Sequence, residues 1–375
     1  RPANGILLLA GAAMLLTTVF SEYAPHFRRT LGLTPVIALL SGLGLATIWE
    51  WRGERPGLVR STRNGGAPRP DDESGIAQRP ERWRLAGAGL ATLLLLGSAA
   101  WNIRDYFVVW GRSPDLFYAY DEGLWQIGQF VKTRSADEAI YISPRPASDA
   151  TLAFAWRAGP AVRHFDGRAA FIARASFGQT SAAATYIIIE HEDFRGGRLL
   201  KELLPDAQEI RTFLDRNGQV YARAWQVAAG AVLGRWPTEV TRTRWPAIAL
   251  LGYDLNEPVY HPGEIVYLQL WWRAGAAPTT DWKVFTHILG PAKEDGSIVW
   301  AGHDGRPGGD SVPTTTWRPG ELVLDEHQIR LPADMPAGEY EIEVGLYNPA
   351  DANQRAISVR PRGEDAILLG KVIVQ

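Results

Sequence analysis

The sequence predicts a membrane α-helical segment with three transmembrane helices, followed by a small α/β domain and a C-terminal all-β, immunoglobulin-like sandwich. Three observations lead to this fold class. The N-terminal part contains three uncharged apolar stretches, the middle alternates between helix and strand patterns, and the residues from 229 onward repeat short alternating runs between turns. A chain of 375 residues is long enough for several domains.

The composition excludes several classes of site. A formal net charge of −2 gives no bulk attraction to nucleic acid, so no nucleic-acid partner is predicted. The chain has no cysteine, which rules out disulfides and thiolate metal sites. No cofactor or metal site is predicted, because nothing in the sequence indicates a divalent cation. The chain begins with Arg1, and we interpret it as the C-terminal part of a longer protein.

The transmembrane segment, residues 1–102, is predicted from three stretches at 4–20, 33–49 and 85–101. Each is uncharged and mostly apolar, and each has about the 17 residues that form the lower limit for a spanning helix. Buried core helices are the alternative, but charges end each stretch abruptly. Tryptophans also lie at the ends, as in the interfacial belts of membrane proteins: Trp49, Trp51, Trp83 and Trp101.

The loops predict the orientation of this segment. Residues 51–84 carry eight arginines, which marks this Gly- and Pro-rich loop as cytoplasmic. The loop at 21–32 and everything after about residue 103 would then lie outside. The predicted location is therefore the bacterial cell membrane, in a multi-pass protein with residues 103–375 extracytoplasmic.

Residues 103–228 predict an extracytoplasmic α/β domain, because helix-like and strand-like patterns alternate along them. The residues at 209–227 are typical of a hairpin, with Asn217-Gly218 as a two-residue turn. The strand predicted at 185–191 has an apolar centre, as in a sheet covered on both faces. Helices are predicted over 117–133, 149–159 and 196–205, and a further strand over 139–143.

Residues 229–375 predict an extracytoplasmic β-sandwich. Short alternating runs such as "HPGEIVYLQLWWRA" and "PAGEYEIEVGLYN" recur along this part of the chain. Pro262-Gly263, Pro319-Gly320 and Ala337-Gly338 each come directly before such a run. Regularly spaced short strands with turn signals are typical of sandwiches.

Four stretches together resemble a known family. "SEYAPHFRRTLGLTPVIALLSGLGL" (21–45) resembles the last outer loop and following helix of polyprenyl-phosphate-dependent glycosyltransferases of the GT-C superfamily, in the family 39 group of protein mannosyltransferases and aminoarabinose transferases. "YFVVWGRSPDLFYAYDEGLWQIGQFV" (106–131) resembles the segment after the last helix in bacterial members, and "RHFDG" (163–167) recurs in a comparable place. The sandwich, with "DGRPGGDSVPTTTWRPGE" (304–321), resembles a domain appended to some of them.

The resemblance implies the C-terminal portion of a membrane glycosyltransferase. Such an enzyme transfers a sugar from a polyprenyl-phosphate donor to a hydroxyl of a glycan, lipid or protein acceptor outside the cytoplasm, by direct inverting displacement. Membrane lipid would be a further partner. In this family the catalytic carboxylate lies in the first outer loop, which has no counterpart in this sequence. The catalytic residue is therefore unknown from these residues.

The same resemblance implies a lipid-phosphate site in the loop at 21–32. His26, Arg28 and Arg29 would bind the donor phosphate, since guanidinium groups match phosphate oxygens in geometry and charge. Tyr23 and Glu22 would orient them. Cations here would stabilise the charge that develops on the leaving phosphate. The alternative is that these arginines bind ordinary anionic headgroups.

Two other functions fit the same sequence. The first is a non-enzymatic, membrane-anchored surface protein whose β-sandwich binds glycan or a protein partner. The second is a transporter or assembly subunit of envelope polysaccharide synthesis. An acidic residue in a first outer loop upstream would favour the glycosyltransferase over both.

Four further motifs have simple structural interpretations. "HEDF" (191–194) is interpreted as a polar strand end, because adjacent residues on a strand point to opposite faces. "RHFDG" is interpreted as a strand that turns at Gly167, and "HDGRPGGDS" (303–311) as a sandwich loop that lacks the EF-hand spacing. Core packing is favoured over sugar stacking for five sandwich tryptophans: Trp271, Trp272, Trp282, Trp300 and Trp317.

Overall fold

A computed structural model describes residues 39, 41–44, 82–146, 148–157, 159–174 and 183–375. The chain divides into two compact units, residues 1–112 and residues 113–375. The described residues are mostly β-structure, 39% strand against 21% helix. The predicted fold class is wrong in its three-helix membrane segment, because no described helix is long and apolar enough to span a membrane.

The first unit contributes one long described helix, α1 (Arg82–Ile103), which continues into a π-helix, Arg104–Trp110. No helix in the described part of the chain is long and apolar enough to cross a membrane. Helix α1 contains one run of four leucines, Leu93–Leu96, between residues that are largely alanine and glycine. These small side chains remove little apolar area from water, so they add little to a transfer free energy.

One of the three predicted spans is fully described. The stretch at 85–101 lies within α1, and its assignment as a transmembrane helix is wrong because α1 is not long and apolar enough to cross a membrane. The stretch at 4–20, most of 33–49 and nearly all of the loop at 51–84 lie outside the described residues. The predicted location, a multi-pass protein of the bacterial cell membrane with residues 103–375 extracytoplasmic, is wrong for the same reason.

The second unit begins with an α/β layer built on a mixed five-stranded sheet, here called sheet A. Its order is β2-β1-β4-β6-β5. Strands β2, β1 and β4 are parallel to one another, β6 pairs antiparallel with β4, and β5 pairs antiparallel with β6. Its strands are β1 (Ala139–Ser143), β2 (Val162–His164), β4 (Ala184–Ile189), β5 (Gln208–Leu214) and β6 (Val220–Val227). The strand between β2 and β4 in the chain, β3 (Ala170–Arg174), belongs to another sheet.

Helices cover this sheet. They are α2 (Asp115–Ala119), α3 (Glu122–Val131), α4 (Ala150–Ala155) and α5 (Gly196–Leu203). The helical spacing of Leu124, Ile127 and Val131 puts all three into a core with Ile140 and Ile142 of β1. The Asp149 side chain starts α4 by accepting hydrogen bonds from two backbone N–H groups of its first turn. Residues Leu199 and Leu203 of α5 are buried in a second core.

The C-terminal part is a β-sandwich, as predicted. One sheet, sheet B, has the order β3-β13-β10-β8-β7, and the other, sheet C, has the order β12-β11-β14-β16-β9 with β15 paired to β14. Sheet B contains β7 (Glu239–Arg244), β8 (Ile248–Leu255), β10 (Ile265–Ala274) and β13 (Glu321–Arg330). Sheet C contains β9 (Val259–Tyr260), β11 (Lys283–Leu289), β12 (Val299–Gly305), β14 (Gly338–Asn348), β15 (Asp351–Arg355) and β16 (Ala366–Val374).

Sheet B is the middle layer of the second unit. Strand β3 leaves the α/β layer and pairs antiparallel with β13, with Phe171 opposite Leu324. Trp271 and Trp272 are both fully buried, although alternation along β10 sends them to opposite faces. Both faces of sheet B are therefore covered, and one apolar core contains Tyr186 of sheet A together with these tryptophans.

A buried ion pair lies where the α/β layer meets the sandwich. Arg163 of β2 pairs with Glu321, the first residue of β13, and both side chains are at least nine-tenths buried. Glu321 also accepts hydrogen bonds from the Tyr141 hydroxyl at 2.7 Å and from the Arg318 backbone N–H at 2.9 Å. Burial and the neighbouring Glu321 carboxylate raise the pKa of Tyr141, so this hydroxyl remains a donor. The network fixes two layers that are far apart in sequence.

Candidate functional site

The strand order of sheet A creates a crevice at the carboxyl ends of its parallel strands. From β1 the chain first adds β2 on one side and later β4 on the other. In open α/β sheets, ligands bind outside the carboxyl ends of the strands at this kind of reversal. The residues that reach the crevice are Ser143 at the end of β1, the segment 165–167 after β2, and the segment 190–193 after β4.

The crevice is filled by the carboxylate of Asp193. This side chain is buried and accepts hydrogen bonds from the Ser143 hydroxyl, from the Arg195 N–H at 3.1 Å and from the Gly196 N–H at 2.7 Å. The Ser143 hydroxyl in turn accepts a hydrogen bond from the Gly167 N–H at 2.8 Å. These are the groups that could hold a ligand anion at the start of α5. The chain's own carboxylate takes that position.

Replacing Gly167 by alanine tests this packing. A Cβ at residue 167 would collide with the Asp193 carboxylate, which three hydrogen bonds hold in place. We expect a loss of about 1–3 kcal/mol in the free energy of unfolding, the usual cost of overpacking a buried site. Urea titration measures it, with Gly275→Ala as the control, because a Cβ there meets one backbone oxygen at an ordinary 3.7 Å. Equal stability of the two variants would contradict the packing described.

The charged groups around the crevice are paired with one another. Arg145 donates two hydrogen bonds of 2.6 Å to Glu192, and Arg168 donates two of 2.8 and 2.7 Å to Asp166. Burial opposes ionisation of Asp166, but the hydrogen bonds from Arg168 outweigh it and lower the pKa of that carboxyl. Burial lowers the pKa of His164, which favours a neutral imidazole. The carboxylates at this edge therefore serve as structural partners.

A pocket of about 550 Å³ opens beside the crevice. Helix α5 forms one wall, β6 the floor, and the segment after β4 the rim. Phe194 at the rim is 83% exposed, whereas Trp225 on the floor is only 7% exposed. The lining residues are Glu190, Asp193, Phe194, Gly197, Arg198, Lys201, Glu202, Arg223 and Trp225. An aromatic ring thus stands at the mouth of a pocket whose other walls are mostly charged.

The acidic residues of the pocket have partners, whereas one of its cations does not. The Glu190 carboxylate lies 3.1 Å from Arg223, and Glu202 lies 3.8 Å from Arg198. Within the described part of the chain, the Lys201 ammonium forms no ion pair and instead lies 4.8 Å from the centroid of the Trp225 ring. Such a contact between a cation and an aromatic face is itself favourable.

The sandwich tryptophans contribute packing. Trp271, Trp272 and Trp317 are almost completely buried, so none of them offers a face to a sugar ring. Trp300 donates a hydrogen bond of 2.9 Å to the Pro291 carbonyl, and the Lys293 ammonium lies 4.9 Å from its ring centroid. Trp282 and Trp300 are partly buried and pack against the same core, so all five tryptophans contribute to packing.

The segment 303–311 was predicted as a loop, but its first three residues end β12, and the loop that follows is held by internal contacts. Arg306 binds Asp281 at 2.6 Å, and the Gly308 N–H donates to the buried Asp325 carboxylate at 2.8 Å. Asp304 and Asp310 have different partners, His287 at 3.7 Å and Arg306 at 3.7 Å. Among the described residues, no group of three or more histidines and carboxylates could hold a metal ion.

The structure describes some of the sequence-predicted sites and not others. Glu22, Tyr23, His26, Arg28 and Arg29 all lie outside the described residues, so the lipid-phosphate site and the glycosyltransferase activity remain predictions. The motifs "HEDF" and "RHFDG" are brought together at the crevice, through Asp193 and Gly167. Their sequence interpretations considered each motif alone. A strand order derived from the βαβ pattern could have placed them at one edge of the sheet.

Comparisons with known proteins do not indicate a function for this chain. No family model and no curated protein matches the chain. Over 37% of its length it is similar to 82% of the C-terminal domain of wzt, at 12% identity and a TM-score of 0.26. Over 38% of its length the chain is similar to 99% of a CARDB domain from Pyrococcus furiosus solved with di-metal ions, at 11% identity and a TM-score of 0.23. Over 37% of its length it is similar to 98% of a Niemann-Pick type C2 protein from the Japanese carpenter ant, at 6% identity and a TM-score of 0.20. Likenesses this weak carry no functional argument.

Proposed function

We propose that residues 113–375 form a non-enzymatic unit that binds a saccharide in the pocket between α5 and β6. The observation that carries this proposal is Phe194, an aromatic side chain 83% exposed at the rim of a pocket lined with charged groups. Exposing a phenylalanine to water is unfavourable, so a ligand that covers it gains free energy. A saccharide suits both parts of this surface.

A pyranose ring matches the aromatic rim. Its C–H bonds carry a small positive charge, and the face of an aromatic ring carries a negative one. The hydroxyls of the same sugar both donate and accept hydrogen bonds. The Glu190 and Glu202 carboxylates can accept from them, and the Arg198 and Arg223 guanidinium groups can donate to them. A few polar groups around an apolar contact are the usual composition of a small-ligand site.

The filled crevice supports binding without catalysis. Enzymes on open α/β sheets use the carboxyl edge of the strands, where a reversal of strand order leaves room for a ligand. Here the Asp193 carboxylate occupies that room, and Arg145 and Arg168 neutralise the neighbouring acids. A general base needs a proton-accepting group directed at substrate. Paired and buried carboxylates serve that role poorly.

Phe194→Ala tests the proposal in the full chain. We expect the wild type to bind at least one oligosaccharide on an array of neutral and acidic glycans. For the strongest binder, calorimetry should show an affinity lower by about tenfold in Phe194→Ala, since an aromatic contact contributes roughly 0.5–1.5 kcal/mol beyond burial. Phe154→Ala is the matched control, because Phe154 is 65% exposed but does not line the pocket.

Two results would reject this function. One is the absence of binding to every glycan on the array. The other is an unchanged affinity in Phe194→Ala, or an equal loss in Phe154→Ala. Both variants replace exposed side chains, so circular dichroism should show the same folded state in each.

A further inference from the structure

We infer that the pocket selects an acidic saccharide, with the ligand's carboxylate bound by Lys201. This inference rests on the proposed saccharide function and names the class of sugar. Three cations line the pocket, and two of them already have acidic partners: Arg223 binds Glu190 and Arg198 faces Glu202. Lys201 is the third. A uronic acid residue brings the missing carboxylate on a ring that can also contact Phe194.

The Lys201 ammonium lacks a hydrogen-bond acceptor within the described residues and lies over the Trp225 indole instead. Hydrogen bonds from Thr212 and Arg223, together with attraction by Lys201, lower the pKa of the nearby Glu209 carboxyl, so that acid already has its own donors. A ligand carboxylate in the pocket therefore supplies the acceptor that Lys201 lacks.

The position of Lys201 suits a carboxylate beside the sugar ring. Residues 197, 198, 201 and 202 lie on one face of α5, because positions four apart on a helix are neighbours. The Lys201 side chain is exposed, and its ammonium lies over the Trp225 ring at the end of a flexible aliphatic chain. An ammonium on such a stem can reach a ligand carboxylate and form a charge-assisted hydrogen bond.

A matched pair of ligands tests this inference. Oligogalacturonate and its methyl ester share rings, linkage and length, but only the acid carries charge. Calorimetry with the full chain should show the acid binding about fivefold more tightly than the ester, the factor expected for one solvent-exposed ion pair. Lys201→Gln should reduce the ratio of acid affinity to ester affinity to about one, while Lys201→Arg should retain it.

Lys293→Gln is the control variant, because Lys293 makes the same kind of contact with Trp300, at 4.9 Å, outside the pocket. It should keep the preference for the acid. Equal binding of acid and ester, or an unchanged preference in Lys201→Gln, would overturn the role of Lys201 and leave the saccharide function standing. Failure of the wild type to bind any glycan, acidic or neutral, would overturn both proposals.

Discussion

Replacing Glu321 by glutamine is expected to lower the free energy of unfolding by about 3–5 kcal/mol, the usual cost of removing one partner from a buried ion pair. The substitution keeps the size of the side chain and removes its charge. Arg163 would then remain charged and more than nine-tenths buried, with no described carboxylate to replace Glu321. The Tyr141 hydroxyl would also lose its anionic acceptor at 2.7 Å. Urea titration followed by tryptophan fluorescence measures the change.

Two comparisons make this test specific. Glu339→Gln removes an acid from an exposed pair with Lys371, where solvent already screens the charges, so its effect should be small by comparison. Combining Glu321→Gln with Arg163→Met should recover part of the lost stability, because the double variant removes both charges of this pair. A Glu321→Gln variant as stable as Glu339→Gln would show that this network does not hold the two layers together.

Much of the second unit could be predicted from local patterns. The run "AIYIS" forms β1 over the predicted residues, and the apolar stretch beginning at Thr185 lies in β4, where every residue is buried. Asp149 starts a helix, as its capping chemistry predicts. These elements follow from side-chain periodicity and capping, which depend only on residues close in sequence. The β-sandwich was predictable for the same reason, since each of its strands carries its own alternation.

The turn at Asn217-Gly218 was predicted less accurately. The two-residue turn is wrong, because Asp215 and Gln219 close the loop with a backbone hydrogen bond of 2.9 Å. Gly218 has a φ of 79°, which suits the left-handed position of a three-residue hairpin loop. The Asp215 carboxylate accepts hydrogen bonds from the Asn217 and Gln219 N–H groups, both at 2.8 Å. These side-chain hydrogen bonds favour the three-residue loop over the two-residue turn, although both turns have similar sequence signals.

The parts that escaped prediction depend on contacts between distant residues. Strand β3 pairs with β13, and nothing near Phe171 indicates a partner around Leu324. The same holds for the crevice, where Ser143, Gly167 and Asp193 meet only after the strands are ordered. The pocket combines Phe194, Lys201 and Trp225 from three parts of the chain, and only Phe194 belongs to a motif that the sequence singled out, "HEDF". The membrane prediction failed differently, because it weighed the absence of charge in α1 above the small size of its side chains.

A pair of histidines inside the sandwich is expected to make its stability depend on pH. The Nδ1 atoms of His303 and His327 lie 2.9 Å apart, and the Nε2 of His327 lies 2.9 Å from the Asp325 carboxylate. Asp325 and His327 are buried. One Nδ1 must accept the hydrogen bond that the other donates. If both rings were protonated, two N–H groups would face each other across this distance.

These contacts set the direction of the pH effect. Burial, and then the adjacent His327, lower the pKa of His303 below its ordinary value of 6.5, although Asp325, Asp304 and Asp310 oppose this. Burial opposes ionisation of Asp325, but attraction and hydrogen bonding by His327 outweigh it and lower the pKa of that carboxyl, which stays charged near neutral pH. The unfolded chain therefore binds a proton at His303 more readily than the folded chain does. Stability contributed by neutral His303 is present above pH 6.5 and is lost as the pH falls through its folded pKa.

His303→Gln should therefore reduce the loss of unfolding free energy between about pH 7 and pH 5, by roughly 1.4 kcal/mol for each unit by which the fold depresses the pKa. Part of the loss should remain, because burial also lowers the pKa of His164. Urea titrations at a series of pH values measure the slope. His261→Gln is the control, since this exposed histidine lies apart from the pair and contacts the Gln375 carbonyl at 3.0 Å. If wild type and His303→Gln have parallel slopes, the facing imidazoles do not couple folding to pH.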